Sequence, residues 1–140
     1  MAGNPQLGTL TNAIGIDCNQ FNVTDLGGVA SDLIIQATDS FRVSTQFELG
    51  GMFANWIVSL NVPYTVVYFY EGMGGAADGT LGTVASNTIA GQLVYGPANT
   101  QYTVPANTLA PGLYKLTVVV NFGGAPPMTA FFEGPLVQVF

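Results

Sequence analysis

Histidine is absent from the 140 residues, cysteine occurs once, and lysine and arginine together occur twice. Without histidine, Ser–His and Cys–His nucleophile systems and His-ligated metals are excluded. The single cysteine, Cys18, allows no intramolecular disulfide and no cysteine-based zinc or iron–sulfur site. It reads as a small buried hydrophobe, with an intermolecular bridge as the other use. Arg42 and Lys115 are the only cations, so phosphoryl transfer has no clamp and nucleic acid has no basic patch to meet. The sequence holds neither a Gly-x-x-x-x-Gly-Lys-Ser/Thr loop nor an Asp-x-Asp-x-Asp-Gly run. No cofactor is expected. No stretch approaches the ~20 apolar residues of a membrane span, and no amphipathic helix of useful length stands out.

Charge of either sign is scarce. Charged residues are 7% of the chain, against ~25% in an ordinary soluble domain. The surface must therefore be built from Thr, Asn, Gln, Ser, Gly and apolar groups. The net charge of −6 disfavours anionic membrane surfaces as well as nucleic acid. Low-charge β-rich chains of this composition are common in extracellular and assembly-bound settings. The Met1-Ala2-Gly3-Asn4-Pro5 start has no basic segment followed by an apolar core, so no signal peptide is expected in it.

What is plentiful is apolar and β-branched. Apolar residues make up 49% of the chain, and its length suits one domain with a real core. Residues 1–12 mix Gly, Pro, Asn and Thr and read as an N-terminal arm or a loosely held first strand, with the domain proper over residues 13–140. Residues 13–17 and 21–24 are short strand candidates, and Leu33-Ile34-Ile35 is too short to assign. Phe41 to Leu49 is the clearest strand, because Phe41, Val43, Thr45, Phe47 and Leu49 alternate with Arg42, Ser44, Gln46 and Glu48.

Asn55–Asn61 holds the sole tryptophan. Trp56, Val58 and Leu60 share a face if this is a strand, and a helical turn over Met52 to Trp56 is the other solution. Val62 to Glu71 is a strand with Tyr64, Val66, Tyr68 and Tyr70 on one face and Thr65, Val67 and Phe69 on the other. A glycine-rich loop spans Gly72 to Gly82. Further strands are expected over 81–85, 89–95 and 101–104. Gly123 to Pro127 reads as a hairpin loop. The last strand, 128–140, is broken by a bulge at Glu133-Gly134-Pro135.

The stretch Leu109-Ala110-Pro111-Gly112-Leu113-Tyr114 places a tyrosine just past a Pro-Gly turn and at the head of an alternating strand that runs to Phe122. This resembles the tyrosine corner of immunoglobulin-like sandwiches, whose hydroxyl bonds upstream backbone and ties a turn to the core. With the final hairpin and the lone tryptophan, the resemblance implies an all-β fold. The expected form is a single immunoglobulin-like antiparallel β-sandwich with Greek-key connections and about seven to nine strands. The paired cysteines of antibody domains are missing. Tyr114 is the expected fold anchor.

No catalytic, cofactor-binding or metal site is expected. Among the eight carboxylates, Glu71 and Asp78 could face each other across the glycine loop and so form the one candidate pair for hydrolysis or calcium. Asn22-Val23-Thr24 matches a glycosylation sequon. The aromatic strand is the most suggestive functional feature, since both its faces are apolar. The candidate interface residues are Tyr64, Tyr68, Tyr70 and Trp56. The expectation is a non-enzymatic structural or assembly module whose partner is itself or another protein, met through edge strands and this aromatic face. A carbohydrate-binding module stacking sugars on the same aromatics comes second, and a small carboxylate-dependent hydrolase third.

Overall fold

A computed structural model describes residues 14–26, 33–123 and 128–140. The 1–12 arm and all of the 123–127 loop except Gly123 lie outside the described residues. Nine strands and two short helices are present among the described residues. In chain order they are β1 (Gly15–Thr24), β2 (Ile34–Ile35), β3 (Phe41–Gly50), α1 (Ala54–Val58), β4 (Pro63–Met73), β5 (Gly79–Asn87), β6 (Val94–Tyr95), α2 (Pro97–Thr100), β7 (Tyr102–Val104), β8 (Gly112–Phe122) and β9 (Met128–Val139).

The strands form two layers. A five-stranded sheet has the order β2-β9-β8-β4-β5, and a smaller sheet has β1-β3-β6 with β7 also paired to β3. Pairing is antiparallel throughout except for β2, which runs parallel to the end of β9. The chain changes sheet at β1 to β2, β2 to β3, β3 to β4, β5 to β6 and β7 to β8, as in a Greek-key sandwich. The architecture is an all-β immunoglobulin-like sandwich, and Tyr114 makes the expected corner. Its hydroxyl donates to the Ala110 carbonyl at 2.7 Å while its ring is buried.

The core follows from the two-residue side-chain period. Phe41, Val43, Thr45, Phe47 and Leu49 of β3 point inward and are all buried, as their alternation predicts. Opposite them lie Tyr64, Val66 and Tyr68 of β4 and Tyr114, Leu116, Val118, Val120 and Phe122 of β8. Four aromatics meet at the centre. Phe47 stacks on Tyr95 at 5.0 Å and meets Tyr64 and Phe122 edge-on at 5.2 and 5.7 Å.

A buried series of hydrogen bonds links the two layers. The Tyr68 hydroxyl donates to the Thr100 carbonyl at 2.5 Å. Thr100 in turn donates from Oγ1 to the Thr45 carbonyl at 2.6 Å and accepts from the Thr45 N–H at 3.1 Å. Thr45 Oγ1 donates to the Gln20 carbonyl and lies 3.1 Å from Cys18 Sγ. The hydroxyls of Tyr68, Thr100 and Thr45 thus all have partners, so none of these three buried groups is left unsatisfied.

Each seam between the sheets is closed by an aromatic ring laid on a glycine. Phe21 of β1 packs on Gly134 of β9, where a Cβ would stand 2.7 Å from the ring. Tyr102 of β7 packs on Gly82 of β5, whose Cβ would overlap the ring. Gly134 sits in the expected bulge, which shifts the β8–β9 register between Glu133 and Leu136.

Three sequence expectations are corrected. The candidates at 13–17 and 21–24 are one strand, β1, whose alternation is broken by a register shift between Cys18 and Gln20. The extra residue swaps which parity faces the core, so Cys18 and Val23 are both buried. Of the 89–95 strand only Val94–Tyr95 forms, because a turn at Gly91 (φ 82°) lets the Gln92 N–H bond the Ile89 carbonyl at 3.0 Å. The stretch 55–61 is not a strand. It begins in α1, close to the helical-turn solution.

Candidate interaction surfaces

The predicted interface tyrosines do not reach the surface. Tyr64 is 2% exposed and Tyr68 0% exposed, while Tyr70 is half-buried. β4 has two apolar faces, and the sheet turns its tyrosines inward because larger aromatic area is removed from water that way. Tyr64 donates to the Asn99 carbonyl at 3.3 Å and Tyr68 to Thr100, so the phenol tips are satisfied inside. Burial pushes both phenols above their ordinary pKa, and Tyr68 the more strongly. Tyr70 meets Tyr114 edge-on at 5.6 Å. As surface residues for docking or sugar stacking, Tyr64 and Tyr68 are therefore withdrawn.

The opposite face of β4 is the one left open. Val67 lies beside Val119 of β8, and Val119 beside Phe131 of β9, so the three form one row across the outside of the five-stranded sheet. Phe131 is 62% exposed, and Phe69, two residues along from Val67, is 37% exposed. Thr65, Asn121 and Thr129 form the next row, and Thr117 and Glu133 continue the row of Phe69. Charge is confined to one end, where Lys115 pairs with Glu133 and stands beside Glu71 in the register. Glu133 and then Glu71 raise the Lys115 pKa. The edge strand β5 pairs only with β4 and carries no charged residue. Phe131 was missed in the sequence because the bulge hides the phase of its strand.

Trp56 is exposed, at 61%, but on a helix. α1 spans the end of the sandwich between β3 and β4. Ala54 and Val58 sit in the core, one turn apart, while Phe53, Trp56 and Leu60 follow the other side at helical spacing. The Phe53 and Trp56 rings meet edge-on at 6.3 Å. From Leu49 to Tyr70 the sequence has no charged residue. Thr88 fixes the exit of the helix. Its hydroxyl donates to the Val58 carbonyl at 3.0 Å and accepts from the Val62 N–H at 2.8 Å.

The carboxylates are dispersed. An Asp78 oxygen accepts from the Gly72 N–H at 2.8 Å and so braces the β4–β5 turn, while Glu71 lies exposed on the outer face. Asp17 and Glu48 are opposite each other on β1 and β3, and the Asn19 amide donates to both at 3.4 Å. Among the described residues no group of three or more His, Cys, Asp or Glu side chains is placed to hold a metal ion. Cys18 is buried, and desolvation raises its thiol pKa above the ordinary value, which keeps it protonated and unreactive. Asn22 of the sequon is exposed on β1.

No protein-family model and no curated protein matches the sequence. Among solved structures, 91% of the chain aligns with part of a β-glucosidase from Erythrobacter marinus, at a TM-score of 0.49 and 11% identity. The aligned part is 16% of that enzyme, so the chain spans about a sixth of its length. An immunoglobulin-like protein from Pseudomonas aeruginosa aligns over 91% of this chain and 96% of its own, at a TM-score of 0.45 and 15% identity. The fold assignment rests on the strand order and the Tyr114 corner. Its architecture is that of an immunoglobulin-like sandwich, compatible with a structural or interaction module.

Proposed function

We propose that this chain is a non-enzymatic structural or assembly module that docks onto another protein chain through the outer face of its five-stranded sheet. The observation that carries this reading is the open row Val67–Val119–Phe131 with Phe69 beside it. A sheet with one solvated face normally alternates apolar-in and polar-out. Here the outward positions of three adjacent strands are apolar or uncharged over most of their length, and Phe131 and Phe69 are aromatic. Interface cores are depleted in charge and enriched in aromatics in the same way. The charge-free edge strand β5 prolongs this surface and offers unpaired backbone beside it.

Light scattering coupled to size exclusion tests this. The parent chain is expected to exceed 14.6 kDa, alone or with its partner. Phe131→Asp should abolish the association carried by the sheet face without lowering the melting temperature. A parent that stays monomeric at high concentration and pulls down no protein partner contradicts the reading.

A further inference from the structure

We propose, resting on the sheet-face reading, that the partner covering the outer face of the five-stranded sheet is a basic protein chain rather than a second copy of this one. Its apolar centre meets Phe69 and Phe131, and its cationic side chains meet Glu71 and Glu133. The register sets this geometry. Glu71 pairs with Lys115 across β4 and β8, and Thr117 with Glu133 across β8 and β9. Glu71 is two residues beyond Phe69 on β4, and Glu133 two residues beyond Phe131 on β9. Each carboxylate thus stands on the same face as its ring, about 7 Å along the strand. That is within one Debye length, ~8 Å at physiological salt, so a partner seated on the two rings feels both carboxylates.

Negative charge is in excess at that end of the face. Glu71 and Glu133 are exposed, and Asp78 is anchored on the N–H of Gly72, the residue after Glu71. Against these three carboxylates stands one ammonium, Lys115, which Glu133 already engages. Arg42, the other cation of the chain, is on β3 in the smaller sheet and does not balance them. Charges at the rim of an interface act on encounter and on the choice of partner. Here they select for cations.

A second copy is the wrong complement. It would bring the same three carboxylates, the same engaged lysine and its own net charge of −6. Like charges set opposite each other reject a partner. A basic chain gains in both respects. Its apolar patch covers the Val67–Val119–Phe131 row, and its cations are drawn to the acidic end. Steering of that kind raises association rates by roughly 10- to 10³-fold at low salt.

Two labelled peptides of roughly nine residues serve as probes in fluorescence anisotropy on the full chain, one alternating Val with Lys and the other Val with Glu. The lysine peptide should bind at least about ten-fold tighter at about 0.02 M salt, and the gap should close by about 0.5 M. Phe131→Ser should lose the lysine peptide, since it removes the apolar contact without changing the charge. Glu71→Lys with Glu133→Lys should reverse the preference. Asp17→Lys with Asp39→Lys, the same change of charge away from the face, should leave the preference in place. These four positions are exposed, so an unchanged melting curve confirms that each variant is folded. Equal binding of the two peptides, or binding of neither, overturns the proposal. So does a preference that follows the overall charge, reversing as readily in the Asp17/Asp39 variant. A homodimer at low salt that Phe131→Ser abolishes, seen by sedimentation velocity, overturns the basic partner and upholds the sheet-face reading. Lysine-peptide binding that Phe131→Ser leaves unchanged overturns both.

Discussion

β3 and β4 face each other across the core and differ in what they show to the outside. The inward residues of both are fully apolar or hydrogen-bonded, and Phe47 meets Tyr64 edge-on between them. On their outer sides β3 carries Arg42, Ser44, Gln46 and Glu48, with Ser44 buried, while β4 carries Thr65, Val67 and Phe69 before Glu71 at its end. The outer side of β3 is therefore polar, and the middle of the outer side of β4 is apolar. A surface of the first kind needs no partner. The second leaves aromatic area in water at about 25 cal/mol per Å², a standing gain for any chain that covers it.

The contrast can be broken most forcefully from inside. Phe47→Ala removes the ring at the centre of the aromatic cluster and should cost about 3–5 kcal/mol in a denaturant titration. Phe69→Ala, on the facing strand but outward and 37% exposed, should cost less than half as much. Equal losses would mean that the outer face of β4 is packed within the chain after all. Next comes the seam. Gly82→Ala should cost about 1–3 kcal/mol, because its Cβ needs the space of the Tyr102 ring. The double change with Tyr102→Ala should cost less than the sum, which a double-mutant cycle would read.

Smaller effects come from single hydroxyls. Tyr114→Phe strips the bond to the Ala110 carbonyl and should lower stability by about 1–3 kcal/mol. Tyr68→Phe should cost a similar amount, and it also has a pH signature. Burial raises the Tyr68 pKa in the folded state, so the folded form binds its proton more tightly than the unfolded chain does. The stabilisation is complete below the unfolded value of ~10 and is lost as pH rises above it, at up to about 1.4 kcal/mol per pH unit. Melting curves between pH 9 and 11 should therefore fall less steeply for Tyr68→Phe than for the parent. Parallel curves would place the Tyr68 phenol in water.

Much of this architecture is legible in the residues. Phe41–Leu49 alternates, and it is a strand with those five inward positions. Pro111-Gly112 followed by Tyr114 marks the corner, and the hydroxyl bond is there. Glu133-Gly134-Pro135 marks a bulge, and the register shifts at that point. Less visible were features that depend on an extra residue. The shift at Cys18–Gln20 splits the pattern of β1 in two, so one strand reads as two fragments. α1 is five residues long, too short for a helical period to declare itself against a strand period.

The sequence alone determined the layer type, the corner and the absence of any histidine for chemistry. Those follow from local alternation and from residue types that are simply missing. Tertiary structure decided which face of β4 is outside. Both faces are apolar, and a two-residue period separates them without saying which is buried. Only the packing of Tyr64 and Tyr68 against Phe47, Phe21 and Thr100 across the sandwich settles it. The tyrosines that looked like a docking surface hold the sheets together, and the proposed docking surface lies on Val67, Phe69 and residues of two other strands. A row drawn from three strands exists only once their registers are fixed, and registers are set by contacts far apart in the chain.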